Sequence, residues 1–486
     1  MPVNLELFIS DCDQDLRAGR GVEVRSRLLA LPVASVPDKF RLPLSILCRR
    51  CGEVNTGLRL LTPRVRPARP GLTLPSGPEW AEYAALLNMS GATKEAISIL
   101  ANVDPTHAPQ VFLFRAFCHM AHWDYAAARE SLGSYLAAPL DDYSRFVGRV
   151  NLASALLFSG DPQVREFLGS LIEEAKRLGH LRLMSNLLEM RSQLHLREDR
   201  WDEMELDLNA AAEILAQDGL DSFRVTKWQA VLEALKTRDL KPLRELSVAA
   251  ALRGEYETMR EADLYSLKIS FDQELFHKIY YGTAAAPYRA RIERELGQSP
   301  KVGAYVYGDQ DGPVVSLRTG QIVNGDKTVA VSRLPLRVLS ILTRDLYRPM
   351  STGGLHAELF PGEYFNIYSS PNRVHQTISR ARRWLEKNEL PATIEVRHST
   401  FSVKVHRGVG IELDSGAAVA TDPRLLKLKQ AFGLDYFSAT EARAKLQLSR
   451  SSFQRLASAA AERGLMKRYG HGSAVTYQIV IDDQAA

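Results

Sequence analysis

Two stretches of this sequence, WAEYAALLNMSGATKEAISIL (80–100) and FLFRAFCHMAHWDYAAARESL (112–132), align on each other at an offset of 32 residues. Trp80 falls on Phe112, Ala84 on Ala116, Ala96 on Ala128 and Leu100 on Leu132, so a large–small–small–large order is kept. Small side chains are needed where paired helices approach closely, and large ones where successive pairs leave space. One such unit cannot bury its apolar face alone, so neighbours must stack on it. Looser copies follow, with Ala153 and Ser192 at the first small position of GRVNLASALLFSGDPQVREFLGSL and RSQLHLREDRWDEMELDLNAAAEIL. LRAGRGVEVRSRLLAL, near the N-terminus, is a further divergent candidate.

This pattern resembles the tetratricopeptide repeat, a helix–turn–helix unit of about 34 residues, although the spacing drifts upward and the repeat's prolines are mostly missing. The resemblance implies a helical solenoid with a concave face for peptides, partner proteins or the chain's own DNA-binding segments. The aromatics Trp80, Phe112, Phe114, Trp123, Tyr125, Trp201 and Trp228 are read as packing between helices, not as a ligand box. Helical periodicity runs to about residue 297, and its clearest break is the Pro- and Gly-rich TPRVRPARPGLTLPSGP (62–78).

Near residue 300 the period changes. VVSLRTGQIVNGDKTVAVS (314–332) alternates β-branched residues around NGD, a hairpin signal. A helix follows in LPLRVLSILTRDLYR, with Leu336, Leu339, Ile341 and Leu342 on its buried side. A shorter helix, STGGLHAELFPG, has Ser351 as cap and a glycine pair that weakens its first turn. A third, SPNRVHQTISRARRWLEKN (370–388), places Val374, Ile378, Ala381 and Leu385 on one stripe, extended by Trp384. Arg373, Gln376, Thr377, Arg380, Arg383 and Lys387 are assigned to the other side, and no acid occurs from Ser370 through Leu385. A merely solvated helix usually mixes Glu with its Lys and Arg. Arginine forks match guanine and phosphate, and Gln can pair with adenine. ATIEVRHSTFSVKVH then alternates on both arms around His398–Ser399–Thr400, a second hairpin.

This order resembles the winged helix-turn-helix effector domain of OmpR/PhoB-type response regulators. The family's third-helix pattern is met by Val374, Ile378, Ala381, Arg382, Arg383 and Leu385. The resemblance implies major-groove contact through that helix and minor-groove contact through a basic wing carrying Arg397, His398 and Lys404. Two departures stand out: RHSTFSV lacks the family wing's glycines, and no βα receiver domain with an acceptor aspartate precedes the module. Residues 423–481 repeat the theme. FSATEARAKLQLSRSSFQRLASAAAERGLMKRYGHGSAVTYQIVI reads as helix, turn, helix and hairpin, with Leu446, Leu448, Phe453, Leu456 and Leu465 as core. Its E-x-G-L-basic-basic entry to a wing resembles MarR-like winged helices. Its candidate DNA contacts are Ser449 (also a helix cap), Arg450, Ser451, Ser452, Gln454, Arg455, Lys467, Arg468 and His471.

Charge divides along the same lines. The net +5 conceals +6 over residues 331–410 and +7 over 423–480, leaving −8 for the remainder. Such asymmetry points to a polyanion at the C-terminal end, and to an acidic solenoid able to fold over the basic modules. No apolar run approaches the ~18–20 residues that span a bilayer, and MPVNLELFISDCDQDL lacks a signal pattern, so cytoplasmic residence is expected. Cys48 and Cys51 form a C-x-x-C without a second ligand pair and are read as small helix residues, with no metal or cofactor expected. P-loop, H-E-x-x-H and G-x-S-x-G motifs are missing, which argues against an enzyme.

The expected fold is mainly α: a tetratricopeptide-like helical solenoid followed by two small α+β winged-helix domains. The divisions are 1–78 (helical, able to hold divergent repeats), 79–297 (repeats), 300–410 and 423–482 (winged helices). The expected function is a bacterial-type transcription regulator bound to double-stranded DNA, its repeats serving partner binding, self-association or effector sensing. The rival is an adaptor or scaffold whose winged helices dock proteins.

Overall fold

A computed structural model describes the chain except residues 1–3, 18, 68–73, 218, 302, 318, 398, 415–422, 433–434, 463–465, 471–474 and 480–486. The fold is mainly helical, with small sheets toward the C-terminus.

The first 299 residues are helical, and as far as residue 253 the helices pair into hairpins that turn through a residue of positive φ. Helices α1 (Leu5–Arg17) and α2 (Gly21–Leu29) turn at Gly19, and α3 (Asp38–Arg50) and α4 (Val54–Val65) at Gly52. Then α5 (Gly77–Met89) and α6 (Thr93–Asn102) turn at Gly91, and α7 (Gln110–Ala121) and α8 (Tyr125–Ala137) at Trp123. Gly160 joins α9 (Asp142–Ser159) to α10 (Val164–Leu178), and Asp199 joins α11 (Leu181–Arg197) to α12 (Trp201–Gln217). Arg238 joins α13 (Phe223–Thr237) to α14 (Lys241–Arg253), before α15 (Tyr256–Ile269), α16 (Gln273–Tyr281) and α17 (Ala286–Leu296). From α1 to α16 each helix packs on the next. Ala84, Ala96, Ala116, Ala128, Ala153 and Ser192 are all fully buried, as the need for small residues at close approaches requires. Gly91 and Trp123 occupy equivalent turn positions, 32 residues apart. The left-handed conformation costs a side-chain-bearing residue roughly 1–2 kcal/mol that glycine avoids.

Strands β1 (Ala304–Gly308), β2 (Val314–Ser316), β3 (Gln321–Asn324) and β4 (Lys327–Ala330) follow, β3 and β4 turning through Gly325 and Asp326. Next come α18 (Arg333–Thr343), β5 (Met350–Ser351), α19 (Thr352–Leu359), α20 (Ser370–Lys387), β6 (Ala392–Arg397) and β7 (Thr400–Val405). Strand β8 (Gly410–Asp414) then inserts between β1 and β2, antiparallel to the first and parallel to the second. The last part holds α21 (Pro423–Phe432), β9 (Phe437–Ser438), α22 (Ala439–Leu446), α23 (Arg450–Glu462), β10 (Met466–Tyr469) and β11 (Thr476–Ile479).

Two compact units result, and they cut across the expected 300–410 module. Residues 1–299 and 332–407 form one unit, and 300–331 with 408–486 the other. The cause lies in the sheet: β2 bonds to β8, whereas α18, α19 and α20 pack on a three-stranded sheet β5–β7–β6, and α19 also packs on α6.

Candidate nucleic-acid interface

Helix α20 begins with Pro371 in its first turn, where a missing N–H is harmless. Val374, Ile378, Ala381 and Leu385 are all at most 3% exposed and face the contacts with α18 and α19. In α18, Leu339, Ile341 and Leu342 are buried as expected, while Leu336 is half-exposed and Val338 is buried instead.

The opposite face carries Gln376, Arg380, Arg383 and Lys387, all exposed. Among the described residues none of Arg380, Arg383 and Lys387 has an ion-pair partner. Thr377 does not share this face. It is 6% exposed, and its hydroxyl donates to the Arg373 carbonyl at 2.9 Å. The wheel explains the difference: Thr377 lies three residues after Val374 and four before Ala381, inside the buried stripe. Arg373 is exposed yet engaged, paired with Glu363 and lying 4.0 Å from the centroid of the Phe360 ring. Arg382, between the two faces, donates to the Ile394 carbonyl from Nε (3.0 Å) and Nη2 (2.5 Å), fastening helix to strand.

Strands β6 and β7 pair from Ala392↔Val405 to Arg397↔Thr400, with Ser399 at positive φ between them. Arg397 is exposed at its end; Lys404 is exposed but only 3.8 Å from Glu395. His398 lies outside the described residues.

In the last segment Ser438 and Glu441 form a capping box on α22, and Gln447 turns the chain at positive φ toward α23. The Ser449 hydroxyl accepts from the Ser452 N–H at 3.1 Å, the expected cap. Arg450, Ser451, Gln454 and Arg455 are exposed on α23, Ser452 is half-buried, and Lys467 and Arg468 are exposed on β10. Phe453 and Leu456 are in the core with Phe437 and Ile479, and Leu446 and Leu448 pack at its edge. His471 and Leu465 fall outside the described residues.

Sequence reasoning missed how residues 332–407 are held. The α19–α20 loop puts Phe365 and Ile367 into the core formed by α4, α5, α6 and α7, and the Phe365 N–H donates to Glu95 Oε2 at 2.7 Å. The Tyr368 hydroxyl donates to the Arg59 carbonyl at 3.3 Å, and the Ser351 hydroxyl to the Ser90 carbonyl at 2.5 Å. At a second place, Arg260, 1% exposed, donates from Nη2 to both Asp345 oxygens at 2.7 and 2.8 Å. The Tyr347 hydroxyl donates to Asp263, and the Leu346 N–H donates to the Gly282 carbonyl at 2.9 Å. Both ion pairs, Arg260–Asp345 and Lys94–Glu358, put the cation on the helical hairpins and the carboxylate on residues 332–407, so attraction of an acidic array to a basic module does not describe this docking. The available signal was the apolar run FPGEYFNIY, too rich in large side chains for a free loop.

Cys48 is buried in α3, and the Cys51 Sγ lies 3.4 Å from the Cys48 carbonyl; burial pushes both thiols up. Among the described residues no helix is long and apolar enough to cross a membrane. No model of a known protein family matches the chain, and no curated protein is significantly similar to it.

Proposed function

We propose that this chain is a sequence-specific, double-stranded-DNA-binding transcription regulator of bacterial type. In this reading residues 79–297, preceded by a helical segment at 1–78, are a tetratricopeptide-like solenoid, and 332–407 hold the helices and wing of an OmpR/PhoB-type winged helix. Residues 423–482 are a second, MarR-like one. The observation that carries the reading is the exposed face of α20, where Gln376, Arg380, Arg383 and Lys387 stand without an acid among them. Phosphate contacts from these cations set affinity, and base-edge contacts from Gln376 and the arginines set specificity. Arg373 and Thr377 support the helix instead of reading DNA. The α23 residues Arg450, Gln454 and Arg455, with Lys467 and Arg468, extend the contact to a composite site, since two linked modules raise each other's effective concentration.

The experiment is selection of bound duplexes from a random library by the full chain, then a salt titration on the recovered site. Affinity is expected to fall steeply with salt. The variant Arg380→Ala, Arg383→Ala is expected to lower affinity at least about tenfold and to reduce the salt slope by about one per lost phosphate contact. Recovery of no duplex, or a double variant with wild-type affinity and slope, would favour a protein-docking adaptor.

A further inference from the structure

Within the helical hairpins lies a cavity of about 980 Å³, adjoined by a second of about 600 Å³, both bordered by Trp123, Tyr125 and Phe158. These rings are ordered against one another. Tyr125 stacks on Phe158 at 5.3 Å, and Trp123 meets Tyr288 edge-on at 4.9 Å. Trp228 is buried as a packing residue should be, but Trp123 and Tyr125 are half-exposed and face open space. The repeat sharpens this. At the turn position where the sister unit has Gly91, the chain accepts a tryptophan in the left-handed conformation. A large side chain kept at such a position and bordering a cavity is a reason to seek a ligand there.

The cations in the larger cavity are not equivalent. Arg291 is engaged by Glu261 and Glu295, and Lys268 by Glu295. Arg197 lacks such a partner among the described residues: its Nη1 donates to the Leu157 carbonyl at 2.7 Å, and no carboxylate lies within ion-pair distance. Arg294 lines the same cavity, exposed and without a partner among the described residues.

We infer that this cavity binds a small organic anion with a flat aromatic body. The anionic group meets Arg197 and Arg294, and the body lies against Trp123, Tyr125 and Phe158. Charge complementarity selects the anion, because the cavity offers two guanidinium groups without an ion-pair partner among the described residues, beside apolar walls. A route to the DNA-reading helices exists. Arg348, three residues from Asp345, borders the adjoining cavity and donates to the Ala121 carbonyl at 3.3 Å. Binding stands independently of the proposed function; its effect on DNA affinity rests on that function.

The test uses two fluorescent probes with the same aromatic body, anilinonaphthalene sulfonate and the uncharged N-phenylnaphthylamine, titrated into the full chain without DNA. Saturable binding of the sulfonate, tighter than that of the amine, is expected. Arg197→Gln with Arg294→Gln is expected to weaken the sulfonate at least about tenfold and to leave the amine unchanged, which also reports an intact cavity. Trp123→Gly, placing the sister unit's residue at the strained turn, is expected to weaken both probes without lowering the melting temperature. Equal affinity for the two probes, or a double arginine variant that binds the sulfonate like wild type, overturns the proposal.

Discussion

An imidazole with no hydrogen-bond partner is buried between two phenyl rings. His356 is 1% exposed, its ring centroid 5.2 Å from Phe360 and 5.6 Å from Phe365, and neither nitrogen is satisfied among the described residues. Burial, and next the Arg373 guanidinium, hold its pKa below the ordinary 6.5, against a weaker pull from Glu363. The folded chain therefore accepts the neutral ring. As pH falls below about 6.5 the unfolded chain takes up a proton that the folded one refuses, and stability declines. His356→Leu is expected to melt at the same or a higher temperature near pH 7.5, with an advantage that widens toward about pH 5. Melting curves for variant and wild type that stay parallel over that range would contradict the assignment. The same scale shows what was legible. The stripe Val374, Ile378, Ala381 and Leu385 follows from period alone, but the same reading sets Thr377 on the polar side although it lies inside the stripe. Its hydroxyl satisfies a backbone carbonyl in its own helix, a partner that permits burial.

Helix α19 shows how an apparent weakness can be a requirement. Its pair Gly353–Gly354 lowers helix propensity, yet a Cβ at Gly353 would stand 2.5 Å from the Ser90 carbonyl oxygen. A Cβ at Gly91, on the other side of the contact, would come within 2.2 Å of Ser351 Oγ. Propensity alone favours alanine over glycine in a helix by about 1 kcal/mol. At Gly353 the backbone contact reverses the sign, and Gly353→Ala is expected to cost about 1–3 kcal/mol in denaturant unfolding. Gly133→Ala on α8, where a Cβ meets nothing within 4 Å, is expected to be stabilising by up to about 1 kcal/mol. A stabilised Gly353→Ala chain would mean the α5–α6 turn does not hold α19. The two hairpins and the helices α18, α19 and α20 were readable because each repeats a local period. Docking between residues 90 and 353 was not, since contacts so distant in sequence leave no periodic trace.

Across the molecule, the two units interleave along the chain, and the sequence offered no sign that 300–331 would part from 332–407. Strand pairing decided it, through β8 and its parallel bond to β2. Native-state hydrogen exchange should reveal this division, because cooperative units open together. Residues 333–387 are expected to share the protection of α5, α6 and α15, while β2 and β3 are expected to follow β8. Protection of β2 and β3 that instead tracks α18 would remove the division. The interleaving also has a consequence for cutting the chain. The backbone passes between the units three times, at residues 299–300, 331–332 and 407–408. Cleavage at about residue 300 leaves 332–407 still gripped by Asp345 and Phe365, and cleavage at about 408 leaves β1 and β2 still bonded to β8. A protease acting once at either place nicks this protein without releasing a fragment, so its two halves should co-migrate in native gels and part only on denaturation.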